Sequence, residues 1–179
     1  MNERAHAILS ASGADRWTRC PPSARWEDVL PDKESPYSEE GTRAHELLEI
    51  QLLKEFKHKE VQTELETTKE MEAVVREAVD FIKTIALGYS HEPYVAIERR
   101  VDFSHIAQEG FGTADCIIIS GSTMHVIDFK YGKGVPVYSE NNLQMMLYAL
   151  GALMELGFLY PIHFRRCPPP VRRRRSATV

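Results

Sequence analysis

Apolar residues recur along this chain at two periods, and the change from one to the other divides it. From Ser38 onward Ala44, Leu47, Leu48 and Leu52 fall three and four residues apart, the spacing of one helical face. A second helix is predicted over about 67–87, with Met71, Val74, Val75, Ala78, Ile82 and Ile85 along its stripe and Gly88 just past its end. The period then shortens. Residues 94–101, 112–119 and 124–130 are rich in Val, Ile and Phe and suit strands. A last helix is predicted from about Ser139, read as its N-cap, to about Leu156, burying Leu143, Met146, Leu147, Leu150 and Met154. Ahead of all this, to about residue 36, Pro21, Pro22, Pro31 and Pro36 interrupt short helical pieces that Trp17 and Trp26 are expected to anchor to the core. Nothing repeats.

At 179 residues and 43% hydrophobic content the chain can build one domain with a core, assigned to residues 1–160. No apolar run approaches the roughly 18 residues of a membrane-spanning helix, and Met1-Asn-Glu-Arg-Ala-His6 lacks the apolar stretch of a signal peptide. Cys20, Cys116 and Cys167 are widely spaced and form neither a disulfide framework nor a CxxC metal site. A cytoplasmic protein without membrane contact is therefore expected.

The net charge of −4 conceals an asymmetry, because residues 161–179 hold six arginines and no acid, leaving −10 on the first 160. So acidic a body does not attract nucleic acid generally, and contact with DNA must come from a local patch, a metal ion or the tail. The tail combines three successive prolines with four successive arginines and is expected to be disordered. It reads either as a solvated end or as a grip for polyanions.

The stretch with most chemical content is Gly112-Thr-Ala-Asp115 followed by Val126-Ile-Asp128-Phe-Lys130. Gly121-Ser122 suits a two-residue type II′ hairpin turn. Counting outward from that turn sets Asp115 opposite Asp128, with Cβ atoms roughly 4.5–5.5 Å apart. Two carboxylates so close repel unless one is protonated or a cation lies between them. Lys130, two residues beyond Asp128, shares its face. Oxygen ligands of this kind suit Mg²⁺ or Mn²⁺, and such an ion beside a lysine suits phosphodiester hydrolysis. An isolated Asp-x-Lys would be read first as an exposed salt bridge; the opposing Asp115 shifts the reading toward a site. Gln144 and Tyr148, four residues apart, share a helical face and suit a phosphate, a base or a catalytic carboxylate. His45 is a single helical histidine, ordinarily structural, whose imidazole can complete a metal site.

The series Gly41-Thr42-x-x-His45, Gly112-x-x-Asp115, Asp128-x-Lys130, Gln144-x-x-x-Tyr148 resembles the RecB-like branch of the PD-(D/E)XK nuclease superfamily, which includes the exonucleases of CRISPR adaptation and phage recombination nucleases. The opening Leu9-Ser-Ala-Ser-Gly-Ala-Asp-Arg-Trp17-Thr-Arg-Cys20-Pro-Pro and the run Asp128-Phe-Lys-Tyr-Gly-Lys-Gly-Val135 resemble, more narrowly, an uncharacterised family common in phages and prophages. Together the two likenesses cover roughly residues 5–160. The resemblance implies an α/β fold with a restriction-endonuclease-like core, a mixed β-sheet flanked by helices. It implies a metal-dependent DNA nuclease, an exonuclease in phage recombination or repair acting in the cytoplasm of the bacterial host. DNA and phage recombination or replication proteins would be its partners.

By the same resemblance His45, Asp115, Asp128 and the Phe129 carbonyl would hold Mg²⁺ or Mn²⁺. Asp115, Asp128 and Lys130 would be catalytic, with Gln144 and Tyr148 supporting the site and the nucleic acid. Glu98, on the strand before, could add a ligand, but it reads first as a surface salt-bridge partner of Arg99 or Arg100. Ala114 stands where the superfamily's name places proline, and the cysteines do not match the four-cysteine iron–sulfur site of some relatives, so no cluster is expected. Members of the phage family are expected to run longer than this chain. The alternative is a catalytically weak or inactive nuclease-fold module that binds DNA or a partner protein.

Overall fold

The computed structural model describes residues 7–30, 36–132 and 137–162; the arginine-rich tail lies outside them. Five helices and three strands follow in the order α1 (Ala14–Arg19), α2 (Pro22–Val29), α3 (Pro36–Lys57), α4 (Lys69–Leu87), β1 (Tyr94–Asp102), β2 (Phe111–Ser120), β3 (Thr123–Ile127) and α5 (Leu143–Leu156). The described strands form one antiparallel sheet, β1-β2-β3, with apolar clusters on both faces. The expected combination of a sheet flanked by helices is present, whereas the expected mixture of strand directions is not: every described pairing is antiparallel.

One face carries α3 and α4. Leu48 and Leu52 of α3, Met71, Val75 and Ile82 of α4, and Val95, Cys116, Ile118 and Phe129 bury one another there. Thr68 caps α4 by accepting the Met71 N–H, and Gly88 ends it by donating to the Thr84 and Ile85 carbonyls. The opposite face carries α5 and the N-terminal segment, where Ala14, Val101, Phe103, Ile117, Ile119, Leu147 and Leu156 meet.

α5 departs from expectation at its start and in its orientation. Asn142, not Ser139, is the N-cap, with Oδ1 accepting the Met145 N–H at 3.1 Å. Its buried residues are Leu147, Tyr148, Gly151, Ala152 and Leu156, whereas Met146 and Met154 are exposed. The reason is steric. A Cβ on Gly151 would lie 2.5 Å from Val101 Cγ1 and 2.6 Å from the Asp102 carbonyl oxygen, so the helix seats its smallest residues on β1 and turns the methionines outward. Glu155 fastens this contact, accepting from Arg99 at 2.9 Å and from the Asp102 N–H at 2.8 Å. Trp17 does anchor its segment to the core, packing against the α5-face cluster while its Nε1 donates to the Ser10 carbonyl. Trp26 does not: Ala24 is the buried residue of α2, and two positions further on the indole projects into solvent, 68% exposed.

The hairpin has the predicted register. Ser120 pairs with Thr123 and the ladder runs to Cys116 opposite Ile127, around a turn whose Gly121 has φ +56°. β3 ends there, three residues short of the expected boundary. Asp115 explains the early stop: its Oδ2 accepts the Phe129 N–H. A buried carboxylate needs donors, and here a side chain takes one next to the end of the ladder.

Across β1 and β2 the pairing is regular except at one place. Ile97 pairs with Cys116 and Arg99 with Ala114, but between them Glu98 has φ +46°, left-handed and uncommon for a residue with a Cβ. The pleat reverses here. Cys116 lies on the α3–α4 face while Ala114, two residues away, packs on the α5 face; on β1 the alternation changes between Ala96 and Val101. Glu98 and Asp115 occupy the point of reversal.

Candidate metal centre

Three elements bring the site together. α3 supplies His45, one residue after the fully buried Ala44, so the imidazole emerges where the helix crosses the sheet. β2 supplies Asp115, which with 6% exposure is the one buried charged residue among those described. β1 supplies Glu98 through its left-handed backbone. His45 Nδ1 lies 3.1 Å from Asp115 Oδ1, and the ligand atoms of His45, Glu98 and Asp115 all fall within 4.8 Å of one another. An imidazole nitrogen and two carboxylates so disposed can hold a divalent ion.

Asp128, Lys130, Gln144 and Tyr148 form a second group beside the first. Asp128, placed just past β3, receives Lys130 Nζ on Oδ2 at 2.7 Å and Gln144 Nε2 on Oδ1 at 2.9 Å. Gln144 also reaches the Tyr148 hydroxyl at 3.3 Å. Gly112 is needed for this packing, because a Cβ there would lie 2.7 Å from the Tyr148 ring. Phe129 contributes its N–H to Asp115 and sets its buried ring edge-on to the His45 imidazole at 5.4 Å. His45, Asp115, Asp128, Phe129, Lys130, Gln144 and Tyr148 therefore gather in one region. Asp128, expected among the ligands, is not a member of the His45–Glu98–Asp115 trio.

Glu98 is the residue that sequence reasoning placed elsewhere. Its expected arginine partners are engaged, Arg99 with Glu155 and Arg100 over the Phe111 ring at 3.7 Å. No periodic signal marks a left-handed residue within a strand. Only the register of β1 on β2, which sets Glu98 across from Asp115, could have revealed it, and no tight turn between those strands fixes that register from sequence.

The electrostatics are those of a site short of positive charge. Burial, and after it the charge of Asp115, push the Glu98 carboxyl up to about 7. Burial raises Asp128 against the pull of Lys130. Burial opposes the charged form of His45, yet the hydrogen bond and charge of Asp115 prevail and its pKa is raised. Burial pushes Tyr148 up to about 12, and Cys116, fully enclosed beside Asp115, up to about 12 as well.

A helix-flanked antiparallel sheet thus carries a cluster able to bind a metal ion. The chain belongs to the family described as protein of unknown function (DUF2800), which matches residues 6–165. No solved structure matches it.

Proposed function

We propose that this chain is a divalent-metal-dependent deoxyribonuclease with a restriction-endonuclease-like core of the RecB-like kind, acting as an exonuclease in phage recombination or repair. The observation that carries the reading is the adjacency of two groups: the His45–Glu98–Asp115 trio, and Asp128 bonded to Lys130 and Gln144. An exposed Asp–Lys salt bridge would account for Asp128 and Lys130 alone, but the Asp128 side chain is only 7% exposed and neighbours a further buried carboxylate. Burying acids together is costly, and a divalent cation is the partner that offsets it.

The donor set has oxygen ligands suited to Mg²⁺ or Mn²⁺ and one imidazole that favours Mn²⁺. Such an ion supplies Lewis acidity toward a phosphoryl oxygen and lowers the pKa of a bound water. The protein's own groups do the rest. Asp115 links His45 to the Phe129 N–H and so holds ligand and backbone in register. Lys130, at 39% side-chain exposure, can swing from Asp128 toward an incoming phosphate and stabilise developing negative charge. Gln144 orients Asp128 and presents Tyr148 alongside.

The test is incubation with linear, circular and single-stranded DNA in Mg²⁺, Mn²⁺ or EDTA. Cleavage of linear DNA is expected with metal and absent in EDTA, and Lys130→Ala should abolish it while leaving the far-ultraviolet circular dichroism spectrum unchanged. Uncut circular DNA would assign exonuclease action. Equal cleavage in EDTA overturns the mechanism. A folded protein that binds DNA and never cuts it, under any of these metals, is instead a binding module.

A further inference from the structure

Tyr148 also lines a pocket of about 230 Å³, together with Ser10, Ser12, Phe111, Gly112 and Thr113. No acid lines it, in contrast to the carboxylates a few residues away. Its volume falls below the roughly 300 Å³ at which drug-sized ligand pockets begin, so it is too small for a nucleoside with its base and suited to a phosphate and part of a sugar. Its side-chain polar groups are hydroxyls: Ser12 Oγ lies 3.4 Å from Ser10 Oγ, which also accepts the Gly13 N–H at 3.2 Å, and the Thr113 hydroxyl has no hydrogen-bond partner among the described residues. Gly112 lets the Tyr148 ring close directly onto the strand at the pocket wall, since a Cβ there would lie 2.7 Å from that ring. The Arg100 guanidinium carbon sits over the Phe111 ring, 3.7 Å from its centroid, beside the lining.

We infer that this pocket seats a phosphate of the DNA strand next to the one being hydrolysed. The inference rests on the nuclease reading. Tyr148 is common to both places: its ring walls the pocket, and its hydroxyl meets Gln144, which holds Asp128. A strand laid from the pocket past Tyr148 reaches Asp128 and Lys130. Hydroxyl donors without a fixed cation inside hold a phosphate by its oxygens, and they impose no base preference.

The experiment measures binding of fluorescent single-stranded oligodeoxynucleotides carrying a 5′-phosphate, a 3′-phosphate or neither. The protein is the full chain with Lys130→Ala, so that nothing is cut, compared with the same chain carrying Ser12→Ala and Thr113→Val in addition. Loss of two hydrogen bonds to a charged group should weaken binding at least about tenfold. Mn²⁺ affinity, read by calorimetry, should stay the same in both proteins. A loss confined to end-phosphorylated oligonucleotides identifies a terminal phosphate; a loss with all three identifies an internal one, and either result supports the pocket. Equal binding by the two proteins, or no binding by the parent in either Mn²⁺ or EDTA, overturns it. If Mn²⁺ does not bind but the double substitution still releases the oligonucleotide in EDTA, the metal-dependent reading fails and the pocket stands.

Discussion

The two ends of β2 obey different rules. From Cys116 to Ile119 the strand pairs on both sides without a break, and Ile117, Ile118 and Ile119 are buried on alternating faces. From Gly112 to Asp115 it has its partner β1 on one side, a reversed pleat, and an acid where a fourth apolar residue would have packed. One end spends its burial on cohesion. The other accepts a charge in the interior and a left-handed glutamate across from it, departures from local preference of the kind that collect at functional sites. Stability and chemistry are thus separated along ten residues of a single strand.

That separation can be broken from either end. Asp115→Asn is expected to have the largest effect, removing a central ligand and the acceptor that holds His45. Mn²⁺ affinity by calorimetry should fall by more than the 10–100-fold typical of outer-shell changes, with little loss of the unfolding midpoint. Ile117→Ala should do the reverse, costing about 2–5 kcal/mol of stability in denaturant titration while the remaining folded protein binds Mn²⁺ as before. Gly121→Ala meets no neighbour, so its cost is the left-handed backbone alone, about 1–2 kcal/mol on the same titration.

Glu98→Gln should have the smallest effect, with a characteristic pH dependence. The folded pKa of Glu98, about 7, lies above the ordinary 4.5, so the folded chain holds the extra proton between these values. Stability is therefore fullest below pH 4.5 and is lost as pH rises through 7. The amide removes that loss. In metal-free buffer the variant should gain about 1 kcal/mol or less at pH 8, the carboxyl being partly solvated, and nothing below pH 4.5. Added Mn²⁺ should stabilise the parent more than the variant, since only the parent offers all three ligands.

Much of this arrangement is legible in the sequence, and the rest is hidden for identifiable reasons. Gly121-Ser122 fixes the hairpin because a two-residue turn admits one register, and from it the nearness of Asp115 to residues 128–130 follows. The four-residue spacing of Gln144 and Tyr148 likewise places both on one side of α5. The face that α5 buries is less legible, since all but a few positions of the helix are apolar and Gly151, with no side chain to score, decides the docking. Glu98 is hidden most deeply. Its role comes from a backbone angle and a strand pairing separated from it by the irregular stretch between β1 and β2.

Cys116 gives the molecule a timer of its own. Enclosed on β2 and held protonated far above neutral pH, its sulfur can meet an alkylating reagent only when the strand parts from its neighbours, whereas Cys20 is exposed to solvent. Because Asp115 is the adjacent residue, a labelling rate measured at Cys116 would count openings of the candidate metal site itself. Any ion that ties α3, β1 and β2 together should lengthen the interval between them.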